Sequence, residues 1–337
     1  MILLKNIIKY TLFLGSGVLI FWLIYRDRDM EQFLNLIKNL EYKWLVVSVI
    51  LGILAHVSRA FRWNMLIKPL GYRPKVYNSF LAVLVLYLTN LIIPRAGEIT
   101  RCTVLTKYEK IPTSHLIGTV VTERIVDTLV LFLIAIVIFL TNSDIFVRFY
   151  TSHPEMQDNI KGLLTFKSIA IILFSVLFIL GLLIFITKRF KNNKIFNKLR
   201  GTKKDFIKGI KSIKDVKNKP IFIAHTLFIF LMWLLMLYVV FWAYEPTKYL
   251  SLNVGAVTFL MGGLAMLAPV QGGIGPWHFM VRETLFLYGI SRAHGEDFAF
   301  VAHSTTNLIY LVIGTIALII LPLVNLKRSK NDNLIKV

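Results

Sequence analysis

Apolar runs long enough to cross a bilayer recur along the whole chain, at about 8–25, 44–67, 114–141, 168–187, 220–243 and 297–323. Each approaches the ~20 residues that span a hydrocarbon core as a helix. Only 17% of the 337 residues are charged, against about a quarter in a soluble domain. The reading is an all-α polytopic membrane protein forming a single integral domain over 1–337, with no soluble catalytic domain. The first run follows Lys5 and Lys9 and lacks a small-residue cleavage site, so it reads as a retained anchor.

Two further segments, about 76–111 and 252–291, start apolar, break, and continue as a more polar helix. The breaks are Ile93-Pro94-Arg95-Ala96-Gly97-Glu98 and Pro269-Val270-Gln271-Gly272-Gly273-Ile274-Gly275-Pro276. Proline removes an amide donor and glycine admits irregular dihedrals, so both interrupt helical hydrogen bonding. At membrane depth such backbone is tolerated only inside protein or along a wet cavity. Both segments therefore read as re-entrant, broken-helix hairpins, giving six spans plus two hairpins. Two ordinary kinked helices are the alternative.

Lysine and arginine set the orientation. Residues 188–219 hold 13 Lys or Arg against Asp205 and Asp215, which predicts a basic cytoplasmic linker. Lys327, Arg328, Lys330 and Lys336 mark the C-terminal tail as cytoplasmic, and Arg59, Arg62, Lys68, Arg73 and Lys75 give a third cytoplasmic mark. Treating both broken segments as hairpins satisfies all three marks and puts the N-terminus inside as well. The loop 26–43, with Arg26, Arg28, Lys38 and Lys43, then faces outward against the trend. In this arrangement residues 44–141 and 220–323 form an inverted repeat with hairpins entering from opposite sides, the pattern of transporters whose site lies between the repeats. Within the linker, Phe206, Ile207, Ile210, Ile213 and Val216 recur near helical spacing among lysines, which predicts an interfacial helix resting on anionic lipid.

Ionisable residues at membrane depth are costly and mark function. Three clusters qualify: Arg95, Glu98 and Arg101 at the first break; Glu123, Arg124 and Asp127 at the start of the next span; and His278, Arg282 and Glu283 after the second break. Glu123 and Asp127 share a helical face, as do His278 and Arg282. The structural expectation is that Arg95 or Arg101 pairs with Glu123 or Asp127. The functional expectation is that arginines hold a phosphate, since the planar guanidinium suits bidentate contact. Gln271, Gly272, Gly273 and Gly275 complete the expected substrate-binding set by letting the second hairpin bend close to the ligand.

Catalytic groups, cofactor and metal are not expected. His278 and His303 are far apart in sequence and have no carboxylate at ligand spacing, and Cys102 is a lone cysteine. No P-loop, serine elbow or acidic magnesium motif is present. His56, His115 and His225 read as satisfied structural histidines. The net charge of +21 sits mainly in the linker beside membrane spans, so nucleic acid is not the expected partner. The expected partners are the membrane and an anionic phospholipid or lipid-linked precursor, with a second copy of the chain or an envelope-synthesis enzyme as protein partner.

The ordered stretches Asn90-Leu91-Ile92-Ile93-Pro94-Arg95-Ala96-Gly97-Glu98-Ile99-Thr100-Arg101, Glu123-Arg124-Ile125-Val126-Asp127 and Pro269-Val270-Gln271-Gly272-Gly273-Ile274-Gly275 resemble the lysylphosphatidylglycerol synthase transmembrane, or flippase-like, family over roughly 10–325. The resemblance implies a membrane region that moves aminoacylated phosphatidylglycerol between leaflets, while a cytosolic domain makes it. This sequence ends at Val337, about a dozen residues after the last span, so the synthase activity is not carried over. Trp277-His278 stands where relatives often place an acidic residue, which changes the local charge. The expected function is a flippase or transporter of a phospholipid or lipid-linked envelope precursor in the bacterial cytoplasmic membrane. A membrane-embedded transferase, or an accessory or scaffold subunit of envelope-lipid synthesis, is the alternative.

Overall fold

The computed structural model describes residues 30–154, 204–266, 270 and 273–326, and every regular element among them is helical. In chain order these are α1 (Met30–Lys38), α2 (Tyr42–Ile67), α3 (Val76–Ile92), α4 (Gly97–Glu109), α5 (Thr113–Thr141), α6 (Ser143–Thr151), α7 (Lys219–Phe241), α8 (Leu252–Ala265), α9 (Pro276–Leu287) and α10 (Arg292–Val324). A short linker helix occupies 204–211. Four helices are long and apolar enough to cross a membrane: α2 extended by a 3-10 turn to Leu70, α5, α7 and α10. They coincide with four of the six expected spans. The other two, 8–25 and 168–187, lie outside the described residues.

Both broken segments fold back on themselves. Helix α3 stops at Ile92 because Pro94 follows; Ile93 is extended, at φ −126° and ψ 112°, as a residue before proline prefers. Gly97 then opens α4 so close to α3 that a Cβ there would sit 2.7 Å from Asn90 Oδ1. Its amide donates to that same oxygen at 2.9 Å. At the open end, Asn78 Nδ2 donates to Glu109 Oε1 at 2.6 Å, tying the start of α3 to the end of α4. In the second segment, Gly273 (φ 76°) and Gly275 (φ 90°) hold left-handed backbone before Pro276 starts α9. Its open end closes on Asn142, which hydrogen-bonds Asn253 before α8 continues and accepts from Tyr288 after α9.

Helices α2 and α7 pack antiparallel: Glu41 N donates to the Ala243 carbonyl, Ser48 to Met236 O, and Ser58 Oγ meets His225 Nδ1. The first hairpin opens beside the C-terminus of α10, where Asn78 and Asn325 exchange hydrogen bonds. The second opens at the N-terminus of α10, only the four residues Tyr288, Gly289, Ile290 and Ser291 away. Since α10 has 33 residues, about 50 Å of helix rise, the two hairpins open at opposite ends of the bundle. A close crossing lets α10 lie on the first hairpin: a Cβ at Gly314 would stand 2.6 Å from Leu88 Cβ. The flank of α5 carrying Leu129, Phe132, Leu133 and Leu140 stays exposed among the described residues, as a surface facing acyl chains would.

The linker helix departs from expectation. Rather than resting its whole apolar stripe on lipid, it docks on protein, and in the 3-10 turn that follows it Ile213 and Val216 pack against Leu66, Phe222 and Val126. Glycine on both sides makes this possible, since a Cβ on Gly209 would meet Gly118 Cα at 2.8 Å. Thr122 Oγ1 donates to the Ile210 carbonyl at 3.0 Å, which also satisfies one of the carbonyls a helix end leaves open.

Candidate functional site

The bundle is welded by a buried ion network built from three elements. Helix α2 contributes Arg59 and Arg62, three apart on one face; α4 contributes Glu98 and Arg101; α5 contributes Glu123, Arg124 and Asp127. Glu123 is the hub. Its Oε1 lies 2.6 Å from Arg59 Nε and 3.3 Å from Arg62 Nη2, and its Oε2 lies 2.9 Å from Arg101 Nη1. Asp127 Oδ1 holds Arg62 Nη2 at 2.7 Å. Glu98 stands 2.8 Å from both Arg101 Nη2 and Arg124 Nη2. Arg59, Arg62, Arg101 and Glu123 are all at most 2% exposed, whereas the Arg124 side chain is 42% and Glu98 26% exposed. The network is therefore sealed on the α2 side and open along the Arg124–Glu98 edge.

Four guanidinium groups face three carboxylates, leaving one positive charge in excess. Each guanidinium carries five N–H donors in a fixed fork, more than three carboxylates can saturate. Arg59 Nη2 and the Nε atoms of Arg62, Arg101 and Arg124 are buried with no hydrogen-bond acceptor. Arg101 Nη2 is close to Glu98 yet is not aligned for a hydrogen bond. Glu98 Oε2 and both Asp127 oxygens are likewise buried without a hydrogen-bond partner, so what the site offers an anion is its one surplus positive charge, reached at the Arg124 edge. Cation–π contacts hold the forks in place: Arg101 lies 4.4 Å above the Trp63 ring and Arg59 5.7 Å from that of Tyr87, whose hydroxyl accepts from Arg59 Nη1 at 2.6 Å.

Arg59 and Arg62 are where sequence reasoning needs correction, because they are not loop-side topology markers but the buried centre of the network. The signal was present: both fall inside the run 44–67 that was itself read as a span, three apart on one face. Of the two expected partners for the acids, Arg101 joins the hub, while Arg95 is exposed at the hairpin turn with φ 64°. The histidines divide as well. His225 is bonded to Ser58, but both ring nitrogens of His56 and Nδ1 of His115 are buried without a hydrogen-bond partner, so neither is a fully satisfied structural histidine. His56 packs against Tyr87 at 4.4 Å and lies 5.6 Å from Tyr310.

The second hairpin brings a separate group together. His278 and Trp277 pack on His303 of α10 at 4.7 Å and 4.8 Å. Arg282 is bound to Glu283, which is 2% exposed and also holds Arg292 at 3.0 Å and faces His153 at 3.4 Å. Gly273 and Gly275 shape the turn into α9, while Gln271 and Gly272 lie outside the described residues. Both groups touch α10: Tyr310 stacks on Tyr87 at 4.4 Å, and His303 sits about two helical turns closer to the second hairpin.

Membrane-length apolar helices enclosing a sealed arginine–carboxylate network define a polytopic membrane protein. The chain belongs to the family of the lysylphosphatidylglycerol synthase TM region, whose model matches residues 6–314. It is similar to a UPF0104 membrane protein of Methanocaldococcus jannaschii, 33% identical over 126 residues, which are 36% of this chain and 38% of the relative. The match thus spans well under half of that relative's length. No solved structure matches the chain.

Proposed function

We propose that this protein moves a phosphate-bearing lipid, a phospholipid or a lipid-linked envelope precursor, between the leaflets of the bacterial cytoplasmic membrane. One observation carries the reading: a buried network of four guanidinium groups and three carboxylates that, among the described residues, is open along Arg124 and Glu98. A lipid phosphate at that edge accepts from guanidinium N–H groups, and the surplus charge offsets its own. The Tyr87, Tyr310, His303 and His278 series offers the head group a polar route toward the second hairpin. No bond is made or broken in this reading, and no cofactor is required.

The arrangement of helices supports an inverted repeat, with α2 to α5 and α7 to α10 as its halves. Each half runs long helix, short apolar helix, Pro/Gly break, shorter helix, long helix, and the two hairpins open at opposite ends of α10. We take both hairpins as re-entrant, with the end holding Lys68, Arg73, Lys75 and the linker facing the cytoplasm, as the positive-inside rule requires. Both termini then lie on the cytoplasmic side.

Reconstituted vesicles test the proposal. Phosphatidylglycerol labelled on its tail should redistribute between leaflets when the protein is present, faster than in empty vesicles. A change in the lipid's mass would identify a transferase instead. Neither redistribution nor a mass change would leave a scaffold role and overturn the proposal.

A further inference from the structure

A concavity apart from the ion network opens at the Lys75 end of the bundle. It encloses about 790 Å³ between the 3-10 turn at Lys68–Leu70 and the docked linker helix. Lys204, Lys208 and Lys211 line it, as do Tyr72, His115 and Asp215. Three cationic side chains therefore outnumber the carboxylates of Asp215, in the lining, and Asp205, against His115. The lysines lie three and four residues apart, so they project from one side of the linker helix.

The concavity is built rather than incidental. The linker helix is held on α5 by the Gly118–Gly209 contact and by Thr122. His115, from the first turn of α5, is 8% exposed; its Nε2 faces Asp205 at 3.5 Å, and its buried Nδ1 has no hydrogen-bond partner. The Tyr72 ring packs 5.8 Å from the imidazole. Leu70 and Ile207 add an apolar wall beside the lysines, and Ile207 is 38% exposed. Cations next to an exposed apolar wall, at the end of a membrane bundle, match an amphipathic anion whose phosphate meets the lysines and whose chains lie along the wall.

We propose that this cavity is a binding site for a phosphate group, occupied by the head group of an anionic phospholipid that stays bound while the linker helix is docked. The lysines contact the phosphate oxygens, His115 forms part of the wall beside them, and Leu70 with Ile207 contacts the glycerol and upper acyl region. The site is independent of the transport reading, since it shares no residue with the arginine network.

The test uses the full chain in detergent, titrated with inorganic phosphate and followed by thermal unfolding. The same chain is placed in nanodiscs of phosphatidylglycerol or phosphatidylcholine and its retained lipid is counted by native mass spectrometry. Two triple variants are compared: Lys204→Gln/Lys208→Gln/Lys211→Gln in the cavity, and Lys214→Gln/Lys217→Gln/Lys219→Gln, which removes equal charge beside it. All six lysines are exposed, so both variants should fold. Wild type and the outer variant should retain phosphatidylglycerol, while the cavity variant loses it, with affinity down about tenfold or more. His115→Gln, which keeps every lysine, should weaken retention several-fold. Stabilisation by inorganic phosphate that only the cavity variant loses, with lipid retention unchanged, would sustain the phosphate site and assign it a soluble source. Equal losses in the two triple variants would mean diffuse surface charge and overturn the proposal. So would a wild type that retains no anionic lipid and does not respond to phosphate.

Discussion

Arg101 and Glu123 meet at 2.9 Å, with the guanidinium lying on the Trp63 ring, and this contact fixes the first hairpin to α5. The carboxylate is shared: its other oxygen serves Arg59 and Arg62. Removing one member of a buried ion group typically costs about 3–5 kcal/mol, because the remaining charges are left uncompensated. Glu123→Gln should accordingly express poorly and unfold early in detergent, as measured by solubilised yield and thermal unfolding. A simple pair would tolerate exchange of its charges, but a hub would not. The double variant Arg101→Glu/Glu123→Arg should stay destabilised, because the new arginine would face Arg59 and Arg62. Recovery of wild-type stability would show that the pair acts alone.

Arg124 occupies the open edge of the network, so its loss should leave the fold intact. Arg124→Gln is expected to purify with near-normal thermal stability and to slow lipid redistribution in vesicles by about tenfold, the worth of one charge-assisted contact. Arg62→Gln should behave in the opposite way and lose stability first, because it removes the nearest cation of Asp127 and leaves it only Arg124 at 3.6 Å. Normal transport by Arg124→Gln would remove the edge from the substrate route.

Docking of the linker helix depends on the close Gly118–Gly209 approach. Gly209→Leu should undock it and free its backbone for trypsin at Lys204, Lys208 and Lys211, with cleavage of the folded protein well ahead of wild type on a gel time course. Unchanged protection would mean that the helix is held by other contacts.

The opposite ends of the bundle should be reachable from opposite sides of the membrane. Cys102 is fully buried, so a Cys102→Ala background gives a silent reference for labelling. Lys214→Cys should react with an impermeant maleimide only in inside-out vesicles. Tyr249→Cys, at a position 71% exposed, should react in intact cells. Labelling of both from one side would overturn the orientation.

Just outside the spans, Glu41 binds Lys248 at 2.7 Å and Lys43 at 2.9 Å. Hydrogen bonding to Lys248, then to Lys43, lowers the Glu41 carboxyl from its ordinary 4.5 to about 2. A carboxyl lowered on folding stabilises fully above its unfolded value, and that contribution is lost as pH falls through the folded one. The small difference in unfolding temperature between wild type and Glu41→Gln should therefore be constant above about pH 5 and vanish towards pH 2. A difference that grew on acidification would contradict the clasp.

Much of this architecture was legible before any coordinates. Apolar length identifies α2, α5, α7 and α10, because crossing a hydrocarbon core demands it, and Pro94, Gly97, Gly275 and Pro276 mark the breaks because they alter backbone hydrogen bonding locally. Membrane-depth cost singled out Glu98, Arg101, Glu123, Arg124 and Asp127 by type and position alone. What the sequence by itself could not determine is which charges meet. Arg59 and Arg62 lie more than sixty residues before the acids they bind, and only the packing of α2 against α5 brings them together. The fate of Arg95 was likewise settled by the hairpin turn, which leaves it exposed and hands its expected place to two arginines of another helix. The linker helix followed the same rule: its apolar stripe was readable, but the two glycines that seat it on protein act only as a pair across 91 residues. Local chemistry decides where a helix starts, breaks and crosses. Partners for buried charge and for close backbone contacts belong to the tertiary structure, since each depends on a surface supplied by another segment.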